Sequence, residues 1–165
     1  METSSSNEDR QKVWDLIKDI KVAMLVTQNA THELSARPMA AAQTEFSGVL
    51  WFMTRDDTPK LDEIASDRKV LLAYSHPSKQ DYVSVAGKAR IVRDRAKIQE
   101  LWSEPMRTWF PKGADDPNIA LIEVDVDSAE FWDAPSSLVV YAYGYAKARL
   151  TGEAPHPGEN KRVTF

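Results

Sequence analysis

The residues best placed to do chemistry lie between Gly48 and Lys60, in the run G-V-L-W-F-M-T-R-D-D-T-P-K. Val49 to Met53 is β-branched, aromatic and apolar and carries no charge, which predicts a buried strand. After Thr54 the chain turns polar: Arg55, Asp56, Asp57, Thr58 and Pro59 lead to Lys60. Leu61, Ile64 and Ala65 then repeat at helical spacing. A strand therefore delivers the chain to a polar turn, and a helix begins at a lysine. Unpaired N–H groups at a helix start, a hydroxyl and an ammonium together form a cradle for an anion such as phosphate. Asp56 and Asp57 oppose that use unless they point elsewhere. The plainer reading is a strand–turn–helix connection in which Asp and Thr serve only as caps.

Composition bounds what surrounds this stretch. The chain has 165 residues, of which 42% are hydrophobic and 28% charged, values of a single globular domain with a real core. A net charge of −4 gives no electrostatic case for nucleic acid, which needs a basic patch. With no cysteine, disulfides, iron–sulfur clusters and thiol catalysis are excluded. The three histidines, His32, His76 and His156, lack metal-ligand spacing. No apolar run approaches a membrane span, and the polar N-terminus does not read as a secretory signal, so a cytoplasmic protein is expected.

The elements that must position the stretch follow from periodicity. Residues 1–7 read as a flexible arm and residues 153–165 as a mobile tail, flanking one domain over 8–152. A helix capped by Ser6 or Asn7 runs to Lys18 on an apolar stripe of Val13, Trp14, Leu16, Ile17 and Ile20. Six strands follow: Val22–Thr27, Leu34–Thr44, Val49–Met53, Lys69–Ser75, Asp81–Arg93 and Ile119–Val126, the last extended or rejoined by Ser128–Trp132. Pro38 marks the second as an edge strand or one with a free N–H position, and Gly87 marks a bulge or close backbone approach. A helix from Asp94 to Met106 and a last one from Ser136 or Ser137 to about Leu150 complete the pattern. The fold expected is mainly β, a six-stranded antiparallel barrel with helices packed outside. No G-x-G-x-x-G follows a strand, so a Rossmann site is not expected.

Five motifs in this order, L-S-A-R-P-M-A, L-W-F-M-T, T-P-K, Y-V-S-V-A-G-K-A-R-I and E-F-W-D, resemble the pyridoxamine 5′-phosphate oxidase-like FMN-binding split-barrel family. The closing F-W-D-A-P-S-S and G-Y-A-K-A-R-L-T-G segments are similar to its general stress protein branch. The resemblance spans roughly residues 10–152 and implies a homodimer of split β-barrels holding flavin mononucleotide, or FAD, at the interface. It implies that Arg37, Pro38 and Met39 lie along the flavin, with Arg37 supporting the phosphate. Trp51, Phe52, Met53 and Thr54 would run beside the ring and ribityl chain, with backbone groups reading the ring edge. Thr58 and Lys60 would hold the phosphate. Tyr82 would stand near the flavin and Trp132 would reach the partner subunit's flavin. Three positions depart from the oxidases: Pro59 and Ala42 stand where they carry phosphate-site cations, and Ser136 to Tyr143 lacks their substrate-binding arginine and histidine. Vitamin B6 oxidation is therefore not expected, whereas flavin binding is.

The residues themselves are consistent with that implication without requiring it. A flavin needs an apolar slot, hydrogen bonds at its ring edge and cations for its phosphate. Trp51–Met53, the strand backbone, and Arg37, Lys60 and Thr58 can supply these in turn. Trp51–Met53 can equally be barrel core, Arg37 a surface ion pair with Glu33 or Glu45, and Lys60 a solvated lysine. Trp109–Phe110 reads as core, dimer contact or lid. No side chain stands out as nucleophile or proton donor, which suits chemistry carried by a cofactor. The expected function is a flavin-binding stress protein, an oxidoreductase in one version. The alternative is a flavin carrier or sensor without turnover, and a weaker third is a barrel that has lost its flavin and serves in protein interaction.

Overall fold

The structure is a computed structural model and describes residues 2–133, 138–152 and 158–165. In chain order the elements are β1 (Glu2–Ser4), α1 (Asn7–Ile20), β2 (Val22–Gln28), β3 (Leu34–Ala40), β4 (Val49–Arg55), α2 (Pro59–Ser66), β5 (Lys69–Ser75), β6 (Tyr82–Val92), α3 (Arg95–Leu101), a 3₁₀ turn (Glu104–Thr108), β7 (Ile119–Asp133), α4 (Leu138–Thr151) and β8 (Glu159–Thr164).

The sheet runs β1-β8-β7-β6-β5-β2-β3, and β4 pairs with the first half of β7. Every pairing among β2 to β7 is antiparallel. The ends of this six-stranded path approach each other at an isolated bridge between Ala41 and Phe52, where the Ala42 N–H donates to the Trp51 carbonyl at 2.7 Å. One bridge in place of a ladder leaves the barrel split along the seam between β3 and β4. Alternation builds its interior: along β5, Val70, Leu72 and Tyr74 point inward while Lys69, Leu71 and Ala73 point out. The main core joins these to Leu25, Phe52, Val85 and Phe131, with α1 laid over it through Val13, Trp14 and Ile17. A second, smaller core lies outside the barrel, where Met53, Leu121 and Phe110 meet Ile98 and Leu101 of α3.

The six expected strands are present. Pro38 sits on β3, at the end of the sheet path, where a missing N–H is tolerated. Gly87 sits at a register shift against β7, where an added Cβ would lie 2.4 Å from the Asp125 carbonyl oxygen. Two expectations need correction. The helix expected through Met106 stops at Leu101, because Pro105 lacks an N–H and its ring would clash with the carbonyl four residues back. The arm and tail expected as loose ends carry strands: β8 pairs antiparallel with the second half of β7, and β1 pairs parallel with β8. The sequence signal for β8 is weak because Val163 alone is buried in it. Of the last helix, Leu138–Thr151 is described, and its expected start at Ser136 or Ser137 lies outside the described residues.

Candidate functional site

The site grows from the end of β4. Thr54 is buried, and the turn after it places its charges in pairs: Arg55 holds Asp57 at 3.0 Å, and Arg93 of the β6–α3 connection donates to Asp56 at 3.1 Å. The two carboxylates that would repel an anion are each neutralised. Thr58 is the extended residue before α2, yet its hydroxyl donates back to the Arg55 carbonyl at 3.1 Å and does not cap the helix. Pro59 supplies the first helical position, which needs no N–H. The first turn of α2 therefore begins without a side-chain cap.

Lys60 follows, half-buried, with no ion pair among the described residues. Burial pushes its ammonium below the ordinary lysine range, and the nearby Arg37 charge pushes it further. One helical turn on, Glu63 faces the barrel mouth. Its carboxylate accepts from the Thr27 hydroxyl, from the Ser35 hydroxyl at 3.1 Å and from Arg37 Nη2 at 2.8 Å. Arg37 also donates to the Thr27 and Ser35 hydroxyls. Burial would raise the Glu63 carboxyl, but hydrogen bonds from Thr27, Arg37 and Ser35 outweigh it and hold it below its usual value. Arg37 thus pairs with Glu63, and with neither Glu33 nor Glu45.

The structure brings Arg37, Thr58 and Lys60 to one end of the barrel and separates the other candidates. Along β3, Arg37 and Met39 face the interior side, while Pro38 is exposed on the opposite face. Along β4, Phe52 is wholly within the main core; Trp51 and Met53 face α3, with Lys97 Nζ 5.1 Å from the Trp51 ring centre. The backbone of β4 behaves differently from its side chains. Asp56 N–H donates to the Asn118 carbonyl at 2.7 Å, which sets the phase of the β4–β7 ladder. Phe52 and Thr54 aim their backbone groups at β7; Trp51, Met53 and Arg55 aim theirs at the opposite edge. Gln43 occupies part of that edge, accepting the Trp51 N–H at 2.9 Å and donating to the Val49 carbonyl at 2.6 Å. Beyond the Ala41–Phe52 bridge no strand among the described residues covers it.

Tyr82 and Trp132 are direct partners across β6 and β7, and both are exposed. They lie on the outer face of the sheet, Tyr82 three strand steps and Trp132 four from β3, or about 14 and 19 Å across the strands alone. The same outer face exposes Val22, Met24 and Leu71 beside Ala36, Pro38 and Ala73, a largely apolar surface on β2, β3 and β5. Of the aromatic pair left open by the sequence, Phe110 is core, in edge contact with Trp102, and Trp109 is 70% exposed. His76 is a loop residue whose ring accepts the N–H groups of Ser78 and Lys79. Sequence reasoning missed Glu63, Thr27, Ser35 and Gln43. The sequence carries little signal for Glu63, which stands off the Leu61–Ile64 stripe of α2 as a solvated glutamate would.

A model of the family described as "Pyridoxamine 5′-phosphate oxidase like" matches residues 8–156. The chain belongs to that family. It is 31% identical to general stress protein 26 of Bacillus subtilis, over 76% of this chain and 89% of the relative. It is 28% identical to protein bli-3 of Neurospora crassa, over 87% of this chain and 75% of the relative. Among solved structures it is similar to the general stress FMN/FAD binding protein of Xanthomonas citri, at 32% identity and a TM-score of 0.70, over 81% of this chain and 94% of that one. The split-barrel architecture is that of the family, and two of these relatives are named as general stress proteins. Among the described residues no helix is long and apolar enough to cross a membrane.

Proposed function

We propose that this protein binds flavin mononucleotide, one at each of two sites in a homodimer, with the phosphate at the start of α2. The observation that carries the reading is Lys60: a half-buried ammonium without an ion-pair partner among the described residues, beside the Thr58 hydroxyl and the uncapped first turn of α2. A partly buried cation whose pKa is lowered, with neither Glu63 nor Asp57 at ion-pair distance, has room for an anion. Phosphate fits that place by charge and by its acceptor oxygens. The FMN/FAD binding named for the Xanthomonas citri protein supports the same assignment. Pairing of Asp56 and Asp57 with arginines removes the electrostatic objection.

The open edge of β4 fits the rest of the group. The Met53 carbonyl and the Arg55 N–H face away from β7, beyond the Ala41–Phe52 bridge, as a ring with a polar edge requires. Phe52 contributes to the barrel core and not to the ring, so the β4 motif acts through its backbone. Tyr82 and Trp132 serve a flavin from the other subunit, since they stand on the apolar outer face that a second copy would cover. The flavin supplies hydride and electron transfer when bound; the residues here bind it, orient it and set the charge around it. Pyridoxamine phosphate is not the substrate in this reading, because Ser136 to Tyr143 carries neither an arginine nor a histidine for a second phosphate.

The absorbance spectrum of the purified protein, with mass identification of the released ligand, tests the assignment. A flavin spectrum and the mass of flavin mononucleotide are expected; colourless protein that fails to take up added flavin overturns it. Bleaching under anaerobic NADH or NADPH then separates an oxidoreductase from a carrier or sensor.

A further inference from the structure

Glu63 is an acid in the wrong place for a phosphate site. Its carboxylate lies one helical turn from Lys60 and holds the Arg37 guanidinium at 2.8 Å. Both side chains of the pair are largely shielded, at 22% and 16% exposure, so their attraction is weakly screened. Three of the guanidinium's donors are committed to Glu63, Thr27 and Ser35. The same carboxylate also takes the Thr27 and Ser35 hydroxyls, so the four side chains form one closed network linking β2, β3 and α2. The charge that reaches an incoming anion is the sum over Arg37, Lys60 and Glu63, and it is that of one cation, not two.

We infer that Glu63 is the affinity-setting counter-charge of this site: it cancels Arg37, leaves Lys60 as the effective cation, and keeps the flavin phosphate exchangeable. The inference rests on the flavin reading above and concerns the strength of binding, not its location. Arg37 then shapes the barrel mouth and orients Glu63, while Lys60 supplies the attraction. A carboxylate facing a dianion lowers affinity by repulsion in a partly desolvated site, where charges act more strongly than in water.

The test titrates flavin mononucleotide and riboflavin into the full chain stripped of any flavin. Riboflavin shares the ring and ribityl chain but has no phosphate. Glu63→Gln, whose amide oxygen still accepts from Arg37, is expected to tighten flavin mononucleotide about tenfold, an order of magnitude set by one nearby charge. Riboflavin affinity is expected to stay within roughly twofold, because no charge is at stake. Arg37→Gln is expected to weaken the mononucleotide at least about tenfold, since it bares Glu63. Arg37→Gln combined with Glu63→Gln restores the net charge and is expected to return affinity to within roughly threefold of wild type. This double variant also leaves no ion buried without its partner, so it keeps the test alive if Glu63→Gln alone does not fold. Weaker or unchanged mononucleotide binding by Glu63→Gln overturns the inference, as does failure of the double variant to recover. Absence of binding of either flavin to the wild-type chain strikes down the flavin reading itself, and this inference with it.

Discussion

Lys60 is where a single side chain decides between ligand site and ordinary surface. A charge-assisted bond to phosphate contributes on the order of 1.5–3 kcal/mol. Lys60→Ala is therefore expected to weaken flavin mononucleotide by roughly ten- to a hundredfold, at a factor of ten for each 1.4 kcal/mol, and to leave riboflavin unmoved. Equal losses for both flavins would point to a damaged pocket, and no loss for either would remove Lys60 from the site. The pH dependence follows from the sign of its shift. The protonated ammonium is the binding form, and burial lowers its pKa, with Arg37 adding to the effect. Mononucleotide affinity is thus expected to be full at neutral pH and to fall as pH rises through that lowered pKa, beginning below the usual lysine value of about 10.4. Fluorescence titrations across alkaline pH, compared with Lys60→Ala, check this; a variant with the same pH profile as wild type would assign the titration to another group.

At the scale of elements, β7 organises the molecule, and two predictions concern its neighbours. Gly87 lets β6 approach it at the register shift, with the Asp125 carbonyl where a Cβ would stand. Backbone cannot give way as a side-chain tip can, so Gly87→Ala is expected to cost about 1–3 kcal/mol, the range for overpacking. A thermal melt should drop by several degrees while the ratio of the two flavin affinities stays fixed; an unchanged melting temperature would show that the strands part freely here. β8 covers the second half of β7, burying Val163, and Phe165 beyond it makes edge contact with Phe46 at 5.3 Å. Deleting Glu159–Phe165 is expected to lower the melting temperature markedly by exposing the β7 edge and part of the core. A loose tail could be removed at no cost, so an unaltered melt of the shortened chain would contradict the pairing.

For the whole molecule, the exposed sheet face matters most. Met24 and Leu71 are 42% and 39% exposed near its centre, and Trp132 is 38% exposed at its side. A contiguous apolar face of this kind on β2, β3 and β5 is the surface that the proposed homodimer would bury. If the proposed dimer forms there, Leu71→Glu, a charge set into it, is expected to give a monomer by light scattering at micromolar concentration where the wild type is a dimer. Loss of flavin should accompany dissociation, because Tyr82 and Trp132 then have no second subunit to serve. A variant that remains dimeric, or a wild-type monomer that is loaded with flavin, would place the interface elsewhere.

Much of this was legible in the chain, for a local reason. Strand alternation, the Pro38 edge, the Gly87 bulge and the start of α2 at Pro59 all depend on backbone preferences and burial period within a few residues. The charged residues of the β4–α2 turn could likewise be named from sequence. Their partners could not. That Arg37 meets Glu63 and that Arg93 neutralises Asp56 depends on which strands the barrel brings to one mouth. Phe52 reads from sequence as ring contact or as barrel core, and only the folded barrel turns its side chain into the core. The ends of the chain were misjudged because β8 is stabilised by long-range pairing with β7, which leaves little periodic trace in six mostly polar residues. Sequence alone determined six of the strands in their chain order and the charged residues of the β4–α2 turn. Tertiary structure decided which charges remain unpaired, because pairing is a matter of distance in space.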